Sequence, residues 1–223
     1  MSGKNKNLDF MRQLDIVTRG DFNLPVTVIG VGGVGSPSVL GLAKMGVPNI
    51  TVYEGDVVDF HNIPNQFYRL SDTGKDKAQA IYDICSDFAG TDIKIISEHY
   101  KGQSPLSDIV ISAVDSMATR QMIWDNIQNG KSNVSLYIDS RMGAQIANIR
   151  TVQLDNPKEV SWYKASLHSD EESEILPCTA RAVIFTVLVT AGLICNQVKR
   201  FSRGEDISKQ IIFDLTSLEF III

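Results

Sequence analysis

"VTVIGVGGVGSPSVLGLAKMGV", residues 26–47, runs from an apolar stretch through a cluster of glycines into a helical pattern. Val26–Val31 is continuous and rich in β-branched residues, as a parallel strand covered on both faces should be. From Ser36 to Met45, the residues Val39, Leu40, Leu42 and Ala43 supply a packed helical face. Asn49–Tyr53 reads as the next strand, which completes a βαβ unit of mononucleotide-binding length. Between strand and helix stand Gly30, Gly32, Gly33 and Gly35. Glycines there let the backbone approach a phosphate, and the helix N-terminus offers unpaired N–H groups. An acidic residue is due about 20 residues further on, to hold a ribose hydroxyl. Glu54 fills that place, with Asp56 just behind it. Loop, helix and acid together point to a nucleotide, but the glycines alone leave open a dinucleotide or another phosphate ligand.

Outward from this unit, the same alternation continues. Ile93–Ser97, Asp108–Val114 and Leu136–Asp139 read as strands, and 76–88 and 117–128 as helices. Gln145–Leu154 alternates more strictly, which predicts an antiparallel extension of the sheet. Residues 155–178 are polar and acidic (HSDEESE) and read as a mobile crossover loop; a buried helix over 179–200 and a pair of strand segments within 211–223 follow. The expected fold is α/β: one domain over 26–223 behind an N-terminal arm, 1–25. Its core is a Rossmann-like, doubly wound, mostly parallel sheet, with ligands gathering at the strand C-termini.

Composition fits this reading. Of 223 residues, 43% are hydrophobic and 21% charged, near the globular average. A net charge of −5 argues against nucleic acid as a main partner, since phosphate-backbone affinity needs clustered Lys and Arg. Cys85, Cys178 and Cys195 form no CxxC pair, which suggests neither a structural zinc site nor a disulfide framework and fits a cytoplasmic setting. The most apolar helical stretch, 182–195, is short for a bilayer and reads as core, so no membrane partner is expected.

The residues after Glu54 carry a more specific signal. Glu54-Gly55-Asp56-Val57-Val58 is followed by Asp59-Phe60-His61-Asn62-Ile63-Pro64-Asn65-Gln66. Asp72-Thr73-Gly74-Lys75-Asp76-Lys77-Ala78 comes next, and Ala113-Val114-Asp115 is followed by Arg120. In this order the blocks resemble the ThiF/MoeB/HesA family, the adenylating enzymes related to ubiquitin-activating enzyme. The likeness runs from about Val26 to Arg200. It implies attack of a carboxylate on the α-phosphorus of ATP, with Mg2+ assisting and pyrophosphate leaving. It places Gly30, Gly32, Gly33 and Gly35 against the nucleotide, Glu54 and Asp56 on the ribose side, and Asn62 on phosphate or ribose oxygens. Lys77 becomes a point charge on the phosphates and Asp115 the Mg2+ ligand, with a helix N-cap as a second role open to Asp115. The implied partner is a ubiquitin-like or sulfur-carrier protein ending in Gly-Gly. The implied assembly is a homodimer in which Arg12 reaches the neighbouring site.

One position departs from the family pattern. Its phosphate-contacting arginine is Asn65 here, and an amide supplies no fixed charge. Arg69 is the nearest replacement in sequence. Cys178, before a helix, has two readings: a nucleophile that takes the activated carrier, as in some relatives, or a small packed residue. Cys85 and Cys195 read as core. His61 and His99 fit no required role, and His168 falls in the acidic stretch. Other readings keep the nucleotide but change the outcome: adenylation of a small peptide or modified nucleoside, an inactive nucleotide-binding subunit, or an NAD-dependent oxidoreductase.

Overall fold

In the computed structural model, which describes residues 9–167 and 183–223, the quoted stretch forms β1 (Val26–Ile29) and α1 (Gly35–Met45), with β2 (Ile50–Tyr53) after it. Then come α2 (Lys77–Ala89), β3 (Lys94–Ile96), β4 (Ser107–Ser112) and α3 (Met117–Gln128). The second half contributes β5 (Asn133–Gly143), β6 (Ile146–Gln153), α4 (Pro157–Lys164), α5 (Ile184–Ser202), β7 (Gln210–Asp214) and β8 (Glu219–Ile222). One sheet runs in the order β3-β2-β1-β4-β5-β6-β7-β8. Its first five strands are mutually parallel, and β6, β7 and β8 extend it antiparallel, as the alternation in Gln145–Leu154 foretold.

Strand alternation divides the core between the two faces. Val26, Val28, Ile109, Ile111, Leu136 and Ile138 pack with Val39, Leu42, Ile81, Ile84, Ile194 and Val198 of α1, α2 and α5. Ile29, Val110, Tyr137 and Val152 point the other way, against Ile123 and Trp124 of α3 and Tyr163 of α4. That is the doubly wound arrangement, and it buries both faces of the parallel strands. By length and composition α5 is apolar enough to cross a membrane. One side of it is nevertheless core: Val187, Ala191, Ile194 and Val198 are buried, and buried Gln197 donates to Thr151 Oγ1 at 3.0 Å and to the Ser208 carbonyl at 2.6 Å.

The structure corrects one expectation outside the site. The stretch read as a loop from Asp155 opens with α4, capped by Asn156, whose side chain accepts from Lys158 N–H, and started by Pro157 at its first turn. Its exposed charged residues hid the single buried aromatic, Tyr163, that anchors it. Residues 168–182 lie outside the described residues, and with them His168, Cys178 and the beginning of the helix expected from 179.

The strand-to-helix turn leaves no room at two glycines. Gly30 has φ +85°, and a side chain on it would meet the Ala113 carbonyl oxygen at 2.8 Å. A Cβ on Gly35 would lie 2.0 Å from the Gly30 carbonyl oxygen. Gly35→Ala is therefore expected to cost about 3 kcal/mol in urea unfolding, the upper range of overpacking penalties.

Candidate active site

The glycine loop is held in shape by polar bonds from two other segments. Glu54, at the end of β2, is buried; its Oε2 accepts Val31 N–H at 2.9 Å and its Oε1 accepts Gly55 N–H at 2.8 Å and Asp56 N–H at 2.9 Å. Ser36 Oγ donates to the Gly32 carbonyl at 2.7 Å and accepts Phe67 N–H at 2.9 Å. The Tyr68 hydroxyl donates to the Val31 carbonyl, and burial pushes its pKa well up, so it remains a donor. Phe67 and Tyr68 thereby draw the preceding block, Asn62 to Gln66, over the loop. Asn62 ends a 3₁₀ turn, Phe60–Asn62, and its Oδ1 accepts Asp59 N–H at 3.0 Å, which leaves its amide N–H groups for the cleft that it lines.

Lys77 owes its place to a turn. Gly74, at φ +88°, donates its N–H to the Val58 carbonyl at 2.9 Å, and Lys77 N–H donates to the Asp56 carbonyl at 2.9 Å. This clip starts α2 at Lys77, which accounts for the spacing between glycine and lysine. The Lys77 side chain is buried but for 7% of its surface, and its Nζ lies 3.1 Å from Asp56 Oδ2. His99 Nε2 is 3.5 Å from the other oxygen of Asp56, so this histidine joins the cleft after all.

Asp115 follows β4, exposed at the cleft. The helix N-cap beside it is Ser116, whose Oγ accepts Thr119 N–H at 3.0 Å, so the capping role open to Asp115 belongs to its neighbour. Its carboxylate has no side-chain partner among the described residues, which suits a ligand for a hard cation. Arg120, one turn into α3, is buried. It donates from Nε to Asp139 Oδ1 at 2.8 Å, and to the carbonyls of Val114 and Ser140.

These groups line a cleft of about 1190 Å³ at the carboxyl ends of the parallel strands, ample beside the roughly 300–1,000 Å³ of small-molecule sites. Gly30, Gly32, Gly33, Glu54, Asp56, Asn62, Asn65, Lys77 and Asp115, all singled out from the sequence, line it together. Gly35 does not; it serves the turn. Gly32 and Gly33 have no positive φ, and a Cβ on either would find protein atoms no closer than 3.8 and 3.5 Å. The fold does not require glycine at these two positions, so their bareness clears the cleft floor.

Two expectations about cations fail or fall elsewhere. Arg69 is turned from the cleft and tied to Asp87 of α2 at 2.6 Å, because the peptide after Tyr68 runs toward that helix. It cannot stand in for the arginine absent at Asn65. Arg12 is exposed on a 3₁₀ turn, Met11–Gln13, and does not line this chain's own cleft. Cys85 and Cys195 are buried, with burial pushing both thiols up to about 12, so they are core as read. Sequence reading missed Ser36, Tyr68, Asp139 and Arg141, whose roles depend on partners 31 or more residues away or on a strand end resembling any other. Asn65 Oδ1 and Gln66 Oε1 are buried acceptors with no hydrogen-bond partner among the described residues, in position for donors from a ligand.

A doubly wound sheet with a glycine loop over a charged cleft defines a class of ligand-binding α/β proteins. The chain belongs to the ThiF family, whose model matches residues 22–220. It is 33% identical over 108 residues to Adenylyltransferase and sulfurtransferase MOCS3-1 of Zea mays, a match covering 45% of this chain and 23% of that protein. Ubiquitin-like modifier-activating enzyme 5 of Dictyostelium discoideum is 27% identical over 121 residues, 45% of this chain and 31% of that protein. Among solved structures, E. coli MccB with ATP superposes with a TM-score of 0.73 at 16% identity, covering 92% of this chain and 65% of that one. The chain thus matches about a quarter to a third of the length of these curated relatives.

Glu54→Gln puts an amide N–H2 where a backbone N–H must donate. Stability in urea is expected to fall by about 2 kcal/mol, the value of a hydrogen bond to a charged acceptor, and an unchanged midpoint overturns the loop-holding role.

Proposed function

We propose that this chain is an ATP-dependent adenylyltransferase that activates the C-terminal carboxylate of a ubiquitin-like or sulfur-carrier protein. One observation carries the reading: Gly32 and Gly33 are bare without any need of the fold, on the floor of a cleft lined by Lys77 and Asp115. Membership of the ThiF family, and relatives named as adenylyltransferases and as a ubiquitin-like modifier-activating enzyme, support it.

In the reaction a carboxylate oxygen attacks the α-phosphorus of ATP, the bond to the β-phosphate oxygen breaks, and acyl-adenylate and pyrophosphate form. Negative charge spreads over the phosphate oxygens as this happens, so cations fixed beforehand lower the barrier. Lys77 spends one of its three N–H donors on Asp56, leaving two for phosphate oxygens. Asn62 directs its amide N–H groups to ribose or phosphate oxygens. Backbone N–H groups at the start of α1 face the same charge. Glu54 holds the loop, and the one lone-pair site left on its Oε2 is available to a ribose hydroxyl. Asp115, with the glycine loop opposite, is the residue that would hold Mg2+, which supplies Lewis-acid charge to phosphate oxygens when bound. The reading extends to a cytoplasmic homodimer in which exposed Arg12 serves the neighbouring copy.

A nucleotide-binding subunit without activity is the second reading, favoured by Asn65 and by the Arg69–Asp87 pair that leaves the cleft short of a cation. Exchange of labelled pyrophosphate into ATP, dependent on Mg2+ and on a Gly-Gly-ended carrier, separates the two. Lys77→Ala and Asp115→Ala are each expected to lower exchange by about 100-fold or more, as loss of one preorganised electrostatic group does. Tight ATP binding with no exchange for any carrier sinks the enzyme reading. Gly32→Ala should leave stability within about 0.5 kcal/mol while weakening ATP binding, a pairing opposite to that of Gly35→Ala.

A further inference from the structure

The features assigned to the nucleotide gather on one side of the cleft. Glu54 and Asp56 follow β2, the glycine loop follows β1, and Asp115 follows β4, whereas β5 lies beyond β4 on the far side from β2. There the wall is made by Ser140, Arg141 and Met142 of β5, with Val183 and Ile184 at the start of α5.

Among the described residues, charge at that wall does not balance. Asp139 is fully buried, and both Arg120 Nε and Arg141 Nε donate to it at 2.8 Å, with the Tyr163 hydroxyl donating at 3.1 Å. One carboxylate thus faces two guanidinium groups, and Arg150, its register partner on β6, adds a third cation nearby. Burial lowers the Arg150 pKa, and repulsion from Arg141 lowers it further. An arginine does not shed its proton in a protein, so among the described residues this wall keeps a surplus of positive charge that favours an anion.

The two arginines on Asp139 differ in what they have left to give. Arg120 is enclosed, its side chain 6% exposed and aimed at Asp139 and two carbonyls. The Arg141 side chain is 18% exposed. It donates to Asp139, to the Ser166 carbonyl at 3.0 Å and to Ser166 Oγ at 3.2 Å, which spends three of five N–H groups. The Tyr163 ring lies 5.8 Å from its guanidinium carbon. Its plane is fixed before any ligand arrives, and among the described residues two of its donors have no partner.

We propose that Arg141 binds the carboxylate of the acyl substrate and holds it for attack. The inference rests on the adenylation reading and deepens it by assigning the acid's own subsite. Arg141 stands across the cleft from Glu54, so the anion it meets is not the ribose end of the nucleotide. Met142 and Ile184 line the same cleft and are apolar, which suits the chain that leads to a carboxylate. The subsite also returns a cation to a cleft whose family arginine is Asn65.

The test uses the full chain and two synthetic heptapeptides ending in Gly-Gly, one with a free C-terminal carboxylate and one amidated. Calorimetric titration is run with and without a non-hydrolysable ATP analogue. Wild type is expected to prefer the carboxylate by about tenfold or more, the worth of a charge-assisted pair. Arg141→Gln should bring that ratio near one and leave analogue affinity within about twofold, a split that general loosening of the Asp139 cluster does not produce. If Arg141→Gln fails to fold, Arg141→Lys carries the test: a ratio between wild type and one supports the subsite, and an unchanged ratio overturns it. No preference in wild type, or a preference kept in Arg141→Gln, also overturns it. A matching loss of analogue affinity reassigns Arg141 to the phosphates. Failure of the adenylation reading looks different: wild type neither binds the analogue nor exchanges pyrophosphate, whatever the peptide ratio without nucleotide.

Discussion

Glu54 takes three backbone N–H groups on two carboxylate oxygens, and the site depends on that convergence. A strand end and a glycine-rich turn both leave amide groups without partners, and burying them unpaired is costly. A single buried carboxylate satisfies those of Val31, Gly55 and Asp56 together and so locks β2 to the loop after β1. Ser36 and Tyr68 then fasten the Asn62–Gln66 block to the same loop. An acid chosen by its spacing for a ribose is thus first a structural tie. After that tie only one lone-pair site, on Oε2, is left for any ligand hydroxyl.

Buried charge is organised differently on the two sides of the cleft. Beside β2, Lys77 meets the exposed Asp56, a pairing that a phosphate can replace at little cost because water still reaches the carboxylate. At the end of β5, Asp139 is fully buried between two arginines and a tyrosine. A buried carboxylate is tolerable only when paired and hydrogen-bonded, and here two arginines among the described residues do the pairing. One wall is adjustable and the other is rigid and cationic. That contrast suits a site in which one anion must be exchanged at each turnover while another is aimed.

The glycines divide along the same line between fold and ligand. Gly30 and Gly35 are bare because the turn between β1 and α1 is too tight for a Cβ, which any protein with this turn must respect. Gly32 and Gly33 have space around them and face the cleft. A glycine pattern read as one motif is two constraints interleaved, and substitution at each pair should separate stability from binding.

The residues between 26 and 53 were enough to determine the βαβ start, since a continuous β-branched run ending in glycine and the helical spacing after it mark strand and helix apart. Glu54 was marked by its spacing from the glycine loop, and Asn62, Lys77 and Asp115 by the resemblance to a family pattern; all four line the cleft. Helix α4 was not legible, for its exposed charges look like loop until Tyr163 is seen against Trp124, ring centroids 4.6 Å apart. Nor could spacing tell that Arg69 turns to Asp87 while Arg141 turns to Asp139 and the cleft. Local order follows from neighbours along the chain. Where an arginine sends its charge depends on which carboxylate packing brings within reach, and packing alone decided that.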